Sequence, residues 1–366
     1  MAVERKCRVG ILLLVAIMWI GFSGTGSWGD VESKAPIVVF EVPYFTIPDR
    51  IDLCGETVPL DSTDVRERFD REFTSIVYSH GKVYLWLKRM ERYFPWVERE
   101  LAAKGLPDDL KFVAVAESDL SLTAVSSAGA AGPWQFMPQT ASSYGMNQTA
   151  TVDERYDFET SASGAFKYLK NLRGILPNWT LAVAAYNCGE GRVQDEMRKQ
   201  KTNSYYNLRL PNETERYVFR ILAIKEVLSN PTKYGYNLPR GAGYPPLAVE
   251  KASISLPGPI TVAAAAQAAG ISYREMRVLN PFLISDVIPK GNITLKVPEG
   301  RGKEFEKRIA ALKAAYKPVL ILHKVGKKDT LDGIAKRYNA SGQNICEWNK
   351  IKNRKIRLGQ VLKIYK

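Results

Sequence analysis

Apolar residues recur at helical spacing through residues 61–168, and this periodicity constrains the fold more than any other feature of the sequence. The residues that can share one apolar stripe in this stretch include Phe73, Ile76, Val77, Val83 and Leu87. Further helices are predicted at residues 160–176, 179–188 and 214–228, and few runs alternate as strands do. We therefore interpret residues 61–236, with a core at about 95–228, as one mainly α-helical domain.

A Pro- and Gly-rich segment, LPRGAGYPP at residues 238–246, ends the helical pattern. Residues 237–300 then predict a short strand, two helices and a closing strand. Residues 318–366 repeat this order, with strands at 320–325 and 360–364 and helices at 330–338 and 341–349. The two stretches resemble distant copies of one βααβ unit, in which LNP at 279–281 stands where WNK stands at 348–350. The charged segment between them, residues 301–317, is expected to be a helical connector.

The first residues predict an export signal. A basic start precedes an apolar run from Val9 to Phe22, and small residues that a signal peptidase could accept follow it. This run of 14 residues is short for a spanning helix, so we expect a signal peptide at residues 1–29 and an N-terminal extension at 30–60. The alternative is an uncleaved signal that associates the protein with the membrane.

The net charge of +14 is concentrated at the C-terminal end, where residues 318–366 carry twelve Lys or Arg against three acidic residues. Such a surface suits an anionic polymer or membrane, and for an exported protein we favour cell-wall polymer over nucleic acid. No protein partner is identifiable from the sequence. The three cysteines after the signal, Cys54, Cys188 and Cys346, allow at most one intramolecular disulfide.

Glu117 lies near the end of a predicted helix and is a candidate general acid. The helix dipole and the apolar neighbours both disfavour a negative charge there, so its pKa should be raised. The loop that follows, SSAGAAGPWQF, offers Gly129 and Gly132 for close approach of the backbone to a ligand, with Trp134 and Gln135 as an apolar face and an amide. These groups suit a sugar site. The alternative interpretation is a helix-end carboxylate that faces water.

The sequence lacks the residues that other kinds of catalytic or binding site require. The glycines are not followed by the Gly-Lys-Ser/Thr of a phosphate loop, and the two histidines, His80 and His323, fall in different predicted domains. No metal or organic cofactor is implied. A glycosidase ordinarily uses a second carboxylate, and the residues leave a mechanism with one or with two carboxylates open. The candidates for a second one are Asp119, Asp153, Glu154, Asp157, Glu190 and Glu213.

Several motifs in order along the chain resemble one family. They are Glu117-Ser118, GAAGPWQFMPQTA at 129–141, VDERYD at 152–157, AAYNCGEGRV at 184–193 and LPNETERYV at 210–218. Over residues 61–236 the chain is similar to the soluble lytic transglycosylase family, although Pro133 stands where the family more usually has Leu. The resemblance implies a lysozyme-like α-helical domain. It also implies cleavage of the β-1,4 bond between N-acetylmuramic acid and N-acetylglucosamine, with formation of 1,6-anhydro-N-acetylmuramic acid.

The resemblance also implies roles for single residues. Glu117 would protonate the glycosidic oxygen and then accept the proton of the muramoyl C6 hydroxyl, so one residue would be both acid and base. The residues implied to bind the saccharide are Ser118, Ser126, Gln135, Met137, Tyr186, Asn187 and Glu213. Structural alternatives are that Met137 lies in the core, that Tyr186 is a buried helix residue, and that Glu213 caps the helix predicted after it.

Residues 318–366 closely resemble a LysM module, and residues 237–300 resemble a degenerate one. The resemblance implies a shallow groove for glycans that contain N-acetylglucosamine. The groove would lie between Gly326, Asp329 and Thr330 on one side and Asn349, Lys350 and Ile351 on the other. Asp329 and Thr330 could equally cap the first helix of the module, and Trp348 could be a core residue.

Together these features favour an exported lytic transglycosylase that binds peptidoglycan glycan strands. We expect it in the periplasm or cell envelope of a Gram-negative bacterium. The predicted fold class is mainly α, with a lysozyme-like catalytic domain followed by small α+β LysM modules. The alternatives are a hydrolytic muramidase on the same fold and a non-catalytic cell-wall-binding protein.

Overall fold

The computed structural model describes residues 42–315, 320–338 and 340–365, and the predicted export signal lies outside these ranges. The chain divides into residues 1–47 and a compact unit that begins at Pro48. Within the described ranges, no helix is both long and apolar enough to cross a membrane.

The helical domain comprises residues 48–236. Its helices are α1 (Thr63–Val77), α2 (His80–Ala103), α3 (Lys111–Ser118), α4 (Pro138–Ser143), α5 (Phe158–Ile175), α6 (Trp179–Cys188), α7 (Glu190–Gln200) and α8 (Asn212–Ser229). Helix α8 packs against α1, α3 and α6 and is buried along most of its length. The predicted helices are confirmed, and local capping explains two starts: the side chains of Asp157 and Asn178 accept backbone N–H groups of α5 and α6.

A short hairpin precedes α1 and belongs to the helical domain. Its strands, β1 (Asp52–Leu53) and β2 (Glu56–Thr57), pair antiparallel. The Glu56 carboxylate accepts the backbone N–H groups of Trp179 at 2.6 Å and Thr180 at 2.9 Å, so it also caps α6. Ile51, Leu53 and Val58 are buried. The part of the predicted N-terminal extension from residue 48 onward is thus packed into the helical domain.

The middle module comprises residues 249–315. Its elements are β3 (Val249–Leu256), β4 (Ile260–Thr261), α9 (Val262–Ala269), α10 (Tyr273–Leu279), β5 (Val287–Ile288), β6 (Gly291–Pro298) and α11 (Gly302–Ala315). Strands β3 and β6 pair antiparallel from Val249 opposite Pro298 to Leu256 opposite Gly291. Helix α11 forms where a connector was expected, but Phe305 and Ile309 are buried in the core of this module. The helix is therefore part of the middle module and not a free spacer.

The C-terminal module comprises residues 320–365. Its elements are β7 (Leu320–Lys324), α12 (Leu331–Tyr338), α13 (Gly342–Trp348) and β8 (Val361–Tyr365), with β7 and β8 antiparallel. Its core includes Val325, Ile334, Ile345, Leu362 and Ile364. The predicted order of strand, helix, helix and strand is confirmed.

The two small modules share the same helix-capping hydrogen bonds, and the capping residues stand at the same spacing along the sequence in each module. Thr261 and Thr330 cap the first helices through the N–H groups of Ala264 and Gly333. Ser272 and Ser341 cap the second helices in the same way.

An asparagine then ties the end of each second helix to the closing strand. The Asn280 amide bonds both backbone groups of Lys296, and the Asn349 amide bonds both backbone groups of Lys363. The predicted correspondence between LNP and WNK is borne out by these bonds.

The middle module is docked on the helical domain. Val152 and Leu283 form an isolated antiparallel bridge, and the Asp153 N–H donates to the Phe282 carbonyl at 2.8 Å. The Lys296 ammonium lies 2.7 Å from the Asp157 carboxylate. A cavity of about 990 Å³ remains between the two parts, lined largely by hydroxyl, amide and aliphatic side chains.

Candidate active site

Glu117 occupies the last turn of α3, which ends where Asp119 adopts a left-handed conformation with φ 56°. The Tyr217 hydroxyl of α8 donates to Glu117 Oε1 at 2.5 Å. Burial raises the pKa of Glu117 to about 7, a shift that the Tyr217 hydrogen bond and the charge of Arg220 oppose and the negative charge of Glu213 supports. A carboxyl group with this pKa can both donate and accept a proton near neutral pH.

One face of α8 surrounds this carboxyl group. Glu213, Tyr217 and Arg220 follow one another at spacings of four and three residues, which places them on the same side of the helix. Burial raises the pKa of Tyr217 well above its ordinary value, so its hydroxyl remains a hydrogen-bond donor. The sequence analysis missed Tyr217. The signal was its position four residues after Glu213, inside a motif already singled out.

The loop of residues 126–137, here called the cleft loop, is folded on itself beside α3. Ala131 bridges to both Val125 and Phe136. Gly132 has φ 80°, and a Cβ there would meet the Arg155 carbonyl oxygen at 1.9 Å. The close approach predicted for this glycine is therefore to the protein's own backbone and not to a ligand. Gly129 has φ 87° and open space where a Cβ would lie.

Trp134 and Gln135 differ from the expectation of an apolar face and a free amide. Trp134 is fully buried, with its ring edge-on to Phe166 at 5.3 Å, so the prediction that it offers a face to a sugar is wrong. The Gln135 side chain donates to the carbonyl oxygens of Gly132 at 2.7 Å and Ala124 at 3.2 Å. These bonds brace the cleft loop and involve only the amide nitrogen of Gln135.

The other predicted saccharide residues lie on the same loop or on the helices around it. Ser126 accepts the Ala130 N–H at 3.0 Å, and Met137 is 44% exposed and so is not a core residue. The Ser118 hydroxyl donates to the Pro133 carbonyl at 2.8 Å and ties α3 to the cleft loop.

Tyr186 and Asn187 come from the last turns of α6. The Tyr186 hydroxyl donates to the Trp134 carbonyl at 2.8 Å. Burial, with a contribution from the negative charge of Glu117, raises the pKa of Tyr186 well above its ordinary value. Asn187 accepts the Thr214 hydroxyl at 2.7 Å. These contacts bring the start of α8, the end of α6 and the cleft loop around Glu117.

Most of the candidates for a second carboxylate have structural partners. Asp119 accepts the Trp86 indole N–H at 2.9 Å and pairs with Lys82, so it points toward α2. Asp153 pairs with Arg155, while Asp157 caps α5 and pairs with Lys296.

Of the remaining three carboxylates, Glu154 and Glu190 also have hydrogen-bond partners, and Glu213 acts on Glu117. Glu154 accepts the backbone and side-chain N–H groups of Asn147, and Glu190 accepts the Tyr168 hydroxyl at 3.4 Å. Glu213 is exposed, and its charge acts on Glu117.

The predicted LysM groove residues lie in two places in the C-terminal module, just before α12 and just after α13. Asp329 accepts the Gly326 N–H and a His323 ring nitrogen, each at 2.8 Å. Thr330 caps α12, as the structural alternative proposed. On the other side, Lys350 is exposed.

Two neighbours on that second side are partly buried. Ile351 packs against the module's core, as does Trp348, whose ring is edge-on to Tyr365 at 5.4 Å. Elsewhere in the described chain, Cys54, Cys188 and Cys346 are free thiols.

Comparison with known families agrees with this organisation. The Transglycosylase SLT domain family matches residues 94–209, the LysM domain family matches residues 323–364, and the family described as Lytic transglycosylase MltD, LysM-like domain matches residues 250–314. The chain is thus a lytic transglycosylase that carries LysM-type modules. The predicted fold class, a mainly α catalytic domain followed by small α+β modules, is confirmed.

The similarity to one relative extends over most of the chain. This chain is 31% identical over 305 residues to membrane-bound lytic murein transglycosylase D of Escherichia coli strain K12. The match covers 78% of this chain and 67% of that protein. The chain belongs to the family of that enzyme.

Two solved structures show weaker similarity. The 70 kDa soluble lytic transglycosylase of Escherichia coli aligns with TM-score 0.35 and 22% identity, over 46% of this chain and 29% of that one. Lytic transglycosylase Slt of Pseudomonas aeruginosa aligns with TM-score 0.32 and 23% identity, over 41% of this chain and 24% of that one.

Proposed function

We propose that this enzyme cleaves the β-1,4 bond between N-acetylmuramic acid and N-acetylglucosamine in peptidoglycan and leaves a 1,6-anhydro-N-acetylmuramic acid end. The observation that carries the proposal is Glu117 itself, a partly buried carboxyl group with a pKa of about 7 that accepts the Tyr217 hydroxyl. A single group of this kind can serve as acid and base in turn.

In the first step, neutral Glu117 donates its proton to the glycosidic oxygen as the bond from that oxygen to the muramoyl C1 breaks. The resulting carboxylate is stabilised by the Tyr217 hydroxyl at 2.5 Å. In the second step, this carboxylate accepts the proton of the muramoyl C6 hydroxyl while the C6 oxygen forms a bond to C1. Glu117 ends protonated and no water is consumed. The substrate's own acetamido oxygen, or dipoles of the site, would support the oxocarbenium-like state between the two steps.

The proposed saccharide contacts are those of the cleft loop and the helices around it. Ser126, Gln135 and Met137 would line the sugar site, and Tyr186 and Asn187 would lie near the acetamido group. Ser118 would act mainly by tying the cleft loop to α3, since its hydroxyl donates to Pro133.

A hydrolytic muramidase is the second candidate, and Glu213 is the observation that favours it. This carboxylate is exposed and close enough for its charge to raise the pKa of Glu117, so it could activate a water molecule. The two mechanisms differ in whether water enters the product.

Mass spectrometry of digested sacculi separates the two. We expect muropeptides that lack the mass of one water, and reducing muramic acid ends throughout would show hydrolysis instead. Glu117→Gln should lower turnover by about 10²- to 10⁴-fold, the usual contribution of a general acid and base. A folded Glu117→Gln enzyme with full activity would remove Glu117 from the mechanism.

We further propose that the C-terminal module binds glycan strands of the wall through the groove between Gly326, Asp329 and Thr330 and Asn349, Lys350 and Ile351. The match to the LysM family and the positive charge of residues 318–366 support this role. Membership in a family of membrane-bound murein enzymes supports a location in the periplasm or cell envelope of a Gram-negative bacterium. Whether through a cleaved or an uncleaved signal, such a protein would meet its substrate outside the cytoplasm.

A further inference from the structure

We propose that the middle module is a clamp that positions the cleft loop, and that its former glycan-binding edge is now the docking edge on the helical domain. The inference rests on the proposed chemistry at Glu117 only in that turnover is the quantity measured. It is carried by three sets of contacts, which run from the middle module to the cleft loop.

The first set concerns the loop after Asn280. Its counterpart in the C-terminal module follows Asn349, where Ile351 is half-buried and Lys352 is exposed. In the middle module, Phe282 and Leu283, which correspond to Ile351 and Lys352, are both buried. A glycan therefore cannot reach this edge unless the middle module leaves the helical domain.

Main-chain hydrogen bonds close the same edge. The Phe282 carbonyl accepts the Asp153 N–H at 2.8 Å, and the Ile284 N–H donates to the Thr151 carbonyl at 3.0 Å. Val152 joins the hydrophobic core of the middle module. This edge of the middle module is thus hydrogen-bonded to residues 151–153 as one strand is to its neighbour. Apolar side chains pack beside these bonds.

The second set is an ion pair. The Asn280 amide bonds the backbone of Lys296 itself. The Lys296 ammonium lies 2.7 Å from the Asp157 carboxylate, with side-chain exposures of only 15% and 10%. Asp157 is also the residue that caps α5. Lys296 also lies 3.8 Å from the Glu159 carboxylate. A buried ion pair of this kind fixes the register of two surfaces more than it stabilises them.

The third set leads from the docked segment to the cleft loop. Asp153 holds the Arg155 guanidinium at 2.7 and 3.0 Å. Arg155 then donates to the carbonyl oxygens of Gly129 at 2.9 Å and Phe136 at 3.0 Å, which lie near the two ends of the cleft loop. The residue whose N–H bonds the middle module thus also orients the arginine that fixes the cleft loop.

The position of the middle module should therefore affect turnover rather than affinity for the wall. Small displacements of groups that align a substrate can cost about 10²-fold in rate. Lys296 is a positioning residue in this scheme, because it acts through Asp157 and the segment of residues 151–157 and does not touch the proposed substrate site.

The test uses full-length protein with Lys296→Ala, with Lys296→Arg as the conservative variant and Lys363→Ala as the matched control. Lys363 occupies the equivalent place in the C-terminal module, and its side chain is exposed. Turnover of short soluble glycans is measured at a temperature where circular dichroism shows every variant folded. Binding to insoluble sacculi is measured with the same substitutions in a Glu117→Gln background.

We expect Lys296→Ala to lower turnover by about tenfold or more, Lys296→Arg to recover most of it, and Lys363→Ala to leave it unchanged. Sacculus binding should be the same with and without Lys296→Ala. The clamp is overturned if folded Lys296→Ala enzyme turns over soluble glycan at the wild-type rate. It is also overturned if the substitution weakens sacculus binding, since the module would then be a glycan-binding one.

These outcomes are independent of the proposed product. Wild-type digests decide between an anhydro and a reducing end, whereas the Lys296 series compares rates whatever the product is.

Discussion

The pKa of Glu117 is raised to about 7 because its surroundings disfavour its charge more than they stabilise it. Burial is the main cause, and the neighbouring charge of Glu213 adds to it. The Tyr217 hydroxyl acts in the opposite direction, since it donates to the charged form of the carboxylate. The two side chains lie one helical turn apart on α8 and pull the same pKa in opposite directions.

This opposition predicts a pair of shifts in the pH profile. The proposed first step needs protonated Glu117, so activity should fall as pH rises through about 7. Tyr217→Phe removes a donor to the carboxylate, raises the pKa and moves this alkaline limb to higher pH. Glu213→Gln removes a like charge, lowers the pKa and moves the limb to lower pH.

Turnover of soluble glycan, measured between pH 5 and about 9, locates the alkaline limb in each of the two variants. If the two variants moved the limb in the same direction, or left it in place, the limb would not belong to Glu117.

At the residue scale, the sequence singled out Glu117 but not the tyrosine that bonds it. Glu117 could be placed near a helix end because the apolar run of residues 112–116 and the glycines after it are local signals. The Tyr217 contact joins residues 100 positions apart, and Trp134 is buried by Phe166, far along the chain. Periodicity within a segment does not report such tertiary contacts.

At the scale of elements, the cleft loop depends on a glycine that leaves room for a neighbouring backbone. Gly132→Ala should destabilise the protein by about 3 kcal/mol or more, because the new methyl group meets the Arg155 carbonyl and the backbone keeps a positive φ. Chemical denaturation measures the change in the free energy of unfolding.

Gly129→Ala is the matched control, since it carries only the cost of the positive φ, about 1 kcal/mol. Equal losses for the two variants would mean that contact with Arg155 does not decide the fold of this loop.

Elements with strong local signals were the easiest to predict. Helices α5, α6 and α8 have caps and apolar periodicity, and their observed bounds lie within two residues of the predicted ones. Strands β1 and β2 have two residues each and no period that could reveal them. Helix α11 was predicted as a helix, but its charged sequence hid the burial of Phe305 and Ile309.

At the scale of the whole molecule, the C-terminal module should act by raising the local concentration of wall glycan. Deletion of residues 318–366 should lower activity on insoluble sacculi by about tenfold or more and leave activity on short soluble glycans nearly unchanged. Product release from each substrate measures the two effects. An equal loss on both substrates would show that the module supports the catalytic domain and does not anchor it.

The arrangement of modules was predictable only in part. The repeat was visible because LNP and WNK stand at the same spacing from the helix caps, and the shared asparagine bonds explain why those letters recur. Nothing in the local sequence of residues 282–284 indicates that they pair with residues 151–153. That pairing depends on surfaces that meet only after both parts have folded.

The Pro- and Gly-rich segment of residues 238–246 has the composition of a protease-sensitive linker, and most of it is exposed. A cut there would ordinarily separate the parts on either side. Here the pairing of Val152 with Leu283 and of Asp157 with Lys296 would hold the two fragments together after the peptide bond is gone. The middle module would then remain with the catalytic domain as a separate chain, in the manner of a subunit.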